Sequence, residues 1–190
     1  VCIGQTVLDA LGLTKSLGSA TSIPDGILYT DPRLVAGGAR AIISGDHTSA
    51  FPTKDFEGAD PFEYDLLRLS LGLPDSSRDM EVEKATLLEC GFEELNGVDF
   101  DKGCYMGQEL TARTKYRGLV KKRLMPVHVE DNLPAQGTKI TQNGKNVGEL
   151  RSTAGNIGLA LIRLEALEED SPLKAGNATL IPQKPDWANF

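Results

Sequence analysis

The sequence predicts an α+β protein, with mixed helix and strand up to about residue 117 and a small antiparallel barrel or sandwich over residues 118–190. Two observations carry this reading. Before Gly118, apolar residues recur at helical spacing between Gly and Pro stops. After Gly118, five short strand-like runs separated by turn signals fall within about seventy residues. The charge also changes sign near the same point: residues 55–101 hold fourteen acids against three bases, whereas residues 113–123 hold six bases and no acid.

The elements follow in chain order. Val7, Leu8 and Leu11 fit the end of an amphipathic helix stopped by Gly12. Gly26–Thr30 reads as a strand broken by Asp31-Pro32, because proline fixes φ and removes a backbone donor. Arg40–Ser44 reads as a second strand, and residues 46–60 as a polar loop. Asp60-Pro61-Phe62-Glu63 has the form of a helix start: a capping acid, proline at the first position and a glutamate three residues after the cap. Phe62, Leu66, Leu67, Leu69 and Leu71 are that helix's expected core positions, and Gly72-Leu73-Pro74 its stop. Residues 75–101 read as irregular, anchored by Leu87, Leu88, Phe92 and Leu95, with a turn at Asn96-Gly97. Gly107–Arg117 is expected to be helical, with Glu109 and Arg113 in the favourable acid-first i, i+4 order. Strands are expected at Leu119–Glu130, Thr138–Gln142, Val147–Ser152, Ile157–Arg163 and Ala178–Pro182, and Asn143-Gly144 is a strong hairpin signal.

Composition narrows the classes. The chain has 190 residues and a net charge of −7, and no apolar run approaches the ~20 residues that span a bilayer as a helix. A membrane partner is therefore not expected. Three cysteines, Cys2, Cys90 and Cys104, without a CxxC pair, suit free thiols in a reducing compartment. His47 and His128 lie far apart in sequence, so no metal site is expected. The chain begins at Val1, within what reads as a structural element, and is expected to be a piece of a longer protein.

The stretch from Lys102 to Glu109 concentrates chemistry. A thiolate is the reactive form of cysteine, and nearby cations and helix N-termini favour it. Cys104 has Lys102 two residues before it and a predicted helix just after it. Gly103 and Gly107 let the backbone turn sharply and approach a ligand. Free N–H groups at a helix start beside a lysine suit a carboxylate or phosphate, and Gln108 and Glu109 offer donors and acceptors to a heteroaromatic ring. Read by residue type alone, the same stretch is also compatible with a buried cysteine, turn glycines and a solvated lysine. The basic run 113–123 reads equally as a solvated face or as a surface for an anionic ligand or an acidic partner.

Lys-Gly-Cys-Tyr-x-Gly-Gln-Glu, complete here with Met106 at the variable position, resembles the signature of the YgfZ-type folate-binding protein family, relatives of the glycine cleavage T-protein, an aminomethyltransferase. Asp31-Pro32-Arg33, the Tyr64, Arg68, Gly72 and Pro74 pattern, Leu95-Asn96-Gly97-Val98 with Phe100, Leu110-Thr111-Ala112-Arg113 and Lys122-Arg123-Leu124 extend the resemblance along the chain. Pro185-Asp186-Trp187 resembles the terminus of the mitochondrial-type branch.

The resemblance implies a ferredoxin-like (GcvT-like) α+β domain over residues 1–117, expected to be incomplete and to lack an N-terminal companion domain, followed by a C-terminal β-barrel over 118–190. It implies a tetrahydrofolate-binding accessory protein for assembly or repair of [4Fe–4S] clusters, with a folate-dependent aminomethyl or one-carbon transferase as the alternative. Cys104 is the implied chemical residue. Lys102, Gly103, Tyr105, Gly107, Gln108, Glu109 and Arg113 are the implied cofactor-binding set, with a further wall of the folate pocket expected from outside these residues. Iron–sulfur assembly proteins and [4Fe–4S] client enzymes are the expected partners. Nucleic acid is not expected, because Tyr116 alone interleaves the basic run. The motif is expected to line the junction of its domain with the barrel. A bacterial cytoplasm is the expected location, on the acidity, with the mitochondrial matrix as the alternative.

Overall fold

The computed structural model describes residues 1–45 and 56–190. The first ten residues of the expected polar loop, with His47, lie outside the described residues. Backbone contacts divide the chain into two compact units, Val1–Tyr64 and Asp65–Phe190.

In the first unit a short helix, α1 (Val7–Ala10), precedes three antiparallel strands: β1 (Ala20–Ile23), β2 (Gly26–Thr30) and β3 (Ala39–Ile43). They pair in the order β1-β2-β3, with Tyr29 opposite both Ala20 and Arg40. β2 has its predicted bounds and β3 starts one residue earlier than predicted. β1 was not legible, because three of its four residues are exposed and no apolar alternation marks it. Val7, Leu8, Leu13, Leu28 and Ala39 form the core of this unit.

Helix α2 (Pro61–Ser70) starts at the predicted cap, where Asp60 Oδ1 accepts the Phe62 N–H at 2.8 Å. Its predicted apolar face needs correction. Phe62 is 49% exposed, and the two buried residues are Leu69 and the charged Arg68. Arg68 goes inside because Asp79 meets it there at 2.7 Å. After α2 the chain runs irregularly to residue 101, as expected, with Leu88 and Leu95 buried. Helix α3 (Gln108–Tyr116) follows.

The last third is a closed barrel of six antiparallel strands: β4 (Lys122–Glu130), β5 (Lys139–Gln142), β6 (Lys145–Ala154), β7 (Ile157–Arg163), β8 (Leu173–Ala175) and β9 (Ala178–Pro182), in the order β4-β7-β6-β5-β8-β9. Asn143 and Gly144 are both left-handed, as a two-residue hairpin of this type requires. β7 and β9 have their predicted bounds. β4 starts three residues later than predicted, because the Leu119 N–H is still bound to Thr114 O at the end of α3. β8 was not legible at three residues, yet it pairs with both β5 and β9 and so closes the barrel. Met125, Val127, Ile140, Leu150 and Ile162 fill the interior.

One face of the barrel's outside is also buried. Leu124 and Leu159 pack with Leu69 and Cys90 in a second cluster of the same unit. The compact unit therefore starts well before Gly118, the point at which the secondary structure turns to strands.

Candidate functional site

The stretch Lys102–Glu109 is an open loop leading into α3. Asp99 Oδ1 accepts the N–H groups of Asp101 at 2.8 Å and Lys102 at 3.3 Å, a turn that asparagine and aspartate side chains readily make. The Lys102 ammonium lies 4.9 Å from the centre of the Tyr105 ring, within reach of a cation–π attraction. The Tyr105 N–H donates to Gln108 Oε1 at 3.2 Å, and the Gln108 N–H donates to Tyr105 O at 3.2 Å. This reciprocal pair ties the loop to the first turn of α3. Gly107 has φ +87°, a left-handed conformation that a side chain resists, and a Cβ there would meet open space. Backbone conformation therefore demands glycine at 107, and crowding does not.

All residues of the motif except Tyr105 and Gln108 are exposed. Cys104 is a free, exposed thiol, and Met106 is 100% exposed. The Tyr105 hydroxyl is buried and has no hydrogen-bond partner. Among the described residues the motif bonds locally. Its hydrogen bonds and ring contacts are all with residues 99–113.

Helix α3 has no buried residue. It is held from its C-terminal half: Lys115 pairs with Glu93 and sits 3.9 Å from the Phe100 ring centre, and Phe100 meets Tyr116 edge-on at 6.2 Å. Glu109 and Arg113 form the predicted ion pair on the helix surface. The basic run 113–123 is thus not one continuous anion-facing surface. Arg113 and Lys115 are taken by Glu109 and Glu93. Arg123 is 7% exposed, paired with Glu94 and bonded to Leu88 O at 2.5 Å. Arg117 and Lys121 remain exposed.

Two charged networks join residues that the sequence could not connect. In the first unit, Asp31 is fully buried and bound by Arg33 at 2.8 Å and Arg40 at 2.9 Å, while Tyr64 Oη accepts from Arg40 at 2.7 Å and Arg33 at 3.3 Å. Burial pushes the Asp31 carboxyl up, but its hydrogen bonds with Arg33 and the charges of Arg33 and Arg40 outweigh this and hold it below the ordinary value. In the second unit, Asp79 accepts from Arg68 at 2.7 Å, from the Asp75 N–H at 2.8 Å and from the Ser152 N–H at 2.9 Å. Ser152 lies where the β6–β7 register shifts, between Leu150 and Thr153, and the buried carboxylate satisfies a backbone donor there. The only sequence signal for either network was the resemblance at Asp31-Pro32-Arg33, Tyr64 and Arg68.

The profile of the CAF17 C-terminal beta-barrel domain matches residues 121–190, the segment in which β4 to β9 close into the barrel. The human protein named iron-sulfur cluster assembly factor IBA57, mitochondrial, is 37% identical over 186 residues, covering 94% of this chain and 50% of its own length. The mouse protein of the same name is 35% identical over 170 residues, covering 85% of this chain and 47% of its own length. A homolog from Coccidioides immitis is 32% identical over 187 residues, covering 83% and 43%. The chain spans about half the length of the curated relatives it matches. These relatives carry mitochondrial names, which overturns the expectation of a bacterial cytoplasm. Acidity was the wrong guide, because net charge speaks to solubility and association and does not mark a compartment. On these matches and the complete Lys102–Glu109 motif, the chain belongs to the family of the IBA57 assembly factors, the YgfZ-type family.

Proposed function

We propose that this protein is a mitochondrial accessory factor of iron–sulfur cluster assembly, acting through the Lys102–Glu109 motif on tetrahydrofolate and on partner proteins of [4Fe–4S] maturation. The observation that carries the reading is the placement of Cys104: the thiol stands exposed in a loop whose Lys102, Tyr105 and Gln108 are tied to one another. A cysteine that served packing would be buried, as Cys90 is.

The donor set suits folate in part. Lys102 supplies a cation for a carboxylate, the Tyr105 ring a stacking face, and Gln108 an amide whose NH2 has no described partner. The buried Tyr105 hydroxyl is a polar group left for a ligand or a water to satisfy. The loop is open, so it covers one side of a pteridine ring, and the other side must come from outside these residues. The loop belongs to the Asp65–Phe190 unit; the part of the chain before the barrel is read as GcvT-like, and assembly proteins and [4Fe–4S] clients as its partners. No helix among the described residues is long and apolar enough to cross a membrane.

The test is complementation. In cells lacking the protein, the full-length form carrying Cys104→Ala is expected to leave [4Fe–4S] enzyme activities low at normal protein abundance. Full restoration by Cys104→Ala would refute the role given to the thiol.

A further inference from the structure

A second candidate site lies on the outside of the barrel, away from the motif. A cavity of ≈ 290 Å3 opens where the outward faces of β4, β5, β6 and β7 meet the irregular segment 79–90. Its lining is mostly polar, and Cys90 and Leu124 of the neighbouring apolar cluster form its apolar part.

Much of its charge is already matched inside the protein. Glu149 is paired with Lys139 and with Arg151 at 2.7 Å. Glu81 is paired with Lys84 at 2.5 Å, and Asp79 with Arg68 at 2.7 Å. What is left is rich in donors. Lys122 and Arg163 are register partners across β4 and β7, so two cations share one face at adjacent positions. Like charges directly opposite one another on a sheet destabilise it. Lys122 has no ion pair among the described residues, and Arg163 reaches only the exposed Glu165 at 3.3 Å. Thr86 Oγ1 and Arg151 Nε are buried in the cavity wall without a hydrogen-bond partner. Against these donors stands one acid without a described partner, Glu89. Cys90 adds no charge at neutral pH, because burial pushes its thiol up to about 11.

Buried donors are normally satisfied, and two neighbouring cations at a polar hollow, one unpaired and one held only by an exposed glutamate, are satisfied most economically by oxygen acceptors carrying negative charge. We propose that this cavity is a binding site for a small oxyanion, the phosphate or carboxylate group of a compact metabolite, held by Lys122 and Arg163 with Thr86 Oγ1 and Arg151 Nε. The volume admits such a group and excludes a folate-sized ligand. The inference stands apart from the role given to Cys104, and either can fail alone.

Calorimetric titration of the chain at neutral pH and physiological salt, with inorganic phosphate in one arm and citrate in the other, tests it. Saturable millimolar or tighter binding is expected in at least one arm, weakened about tenfold or more in Lys122→Gln and in Thr86→Val, the usual scale for losing one charge-assisted or buried hydrogen bond. Binding of phosphate alone assigns a phosphoryl ligand, and of citrate alone a carboxylate. Unliganded Lys122→Gln is expected to melt no lower than the parent, since it relieves the Lys122–Arg163 repulsion, so a loss of binding is not a loss of fold. No saturable binding in either arm, or equal affinity in parent and variants, overturns the site.

Discussion

Asp79 ties three parts of the second unit together. One buried carboxylate holds the guanidinium of Arg68 from α2, the N–H of Asp75 and the N–H of Ser152 at the irregularity in β6. Removing one partner of a buried ion pair costs about 3–5 kcal/mol when the other is left uncompensated; here Arg68 keeps its second partner, Asp65, at 2.6 Å, so the lower end of that range applies. Asp79→Ala is expected to lower the denaturant midpoint by an amount on that scale, measured by urea unfolding with the slope unchanged. A loss below about 1 kcal/mol would show that the network is solvated and replaceable.

Asp75 gives a separate, titratable prediction. Its hydrogen bonds from Ser77, joined by Arg78, hold its carboxyl down at about 2. A folded-state value below the unfolded one contributes stability that is complete above the ordinary carboxylate value and is lost as pH falls through the folded value. Melting temperature is therefore expected to start falling near pH 3.8 and to keep falling toward about 2. Asp75→Asn is expected to flatten that limb without changing its neutral-pH plateau by more than the lost bonds. An unchanged acid limb in Asp75→Asn would remove this residue from the acid response.

At the level of elements, the C-terminal segment behaves as a strap. Trp187 Nε1 donates to Leu71 O at 2.7 Å, at the end of α2, and the Pro185 ring lies against Gly72. Gly91 lets the chain pass beneath the indole. It has φ +74°, and a Cβ there would come within 2.7 Å of Trp187 Cη2. Gly91→Ala combines a left-handed strain with an overpacked contact, so a cost of about 1–3 kcal/mol is expected. Gly144→Ala is also left-handed but would meet open space. It is expected to cost less, and thermal unfolding of the two variants separates crowding from conformation. Equal losses would mean that the indole moves aside freely.

Helix α3 illustrates what local spacing can and cannot specify. The i, i+4 order of Glu109 and Arg113, the glycine before it and its end near Arg117 were legible, because they follow from helix geometry alone. That Lys115 would reach Glu93 and Phe100, and that Arg123 would turn inward to Glu94 and Leu88 O, was not. Those contacts join residues 15 to 35 positions apart, beyond any periodic pattern. The charge run was visible in the sequence; its partial neutralisation needed the fold.

At the scale of the second unit, the barrel and the segment before it share a core. Leu124 and Leu159 bury their outward side chains against Leu69 and Cys90. Residues 118–190 expressed alone would expose that cluster to water, at roughly 25 cal/mol per Å2 of apolar surface. They are expected to aggregate or to show poorly dispersed amide resonances, whereas residues 65–190 are expected to give a dispersed spectrum and a single cooperative transition. A well-dispersed, cooperative 118–190 fragment would establish Gly118 as a true domain boundary.

The sequence by itself determined the local elements, the barrel hairpin at Asn143-Gly144 and the motif at 102–109, because turn chemistry, helix caps and side-chain periodicity act between residues close along the chain. It also carried the family, through eight consecutive positions in which only Met106 is free to vary. Tertiary structure alone decided the closure of the barrel through three-residue β8, the burial of Arg68 with Asp79, the exposure of Cys104 and the gathering of Lys122, Arg163, Thr86 and Arg151 around one cavity. The physical reason is the same in each case. A buried charge, a short closing strand and a shared hollow are set by partners distant in sequence, whose meeting depends on how strands register and pack.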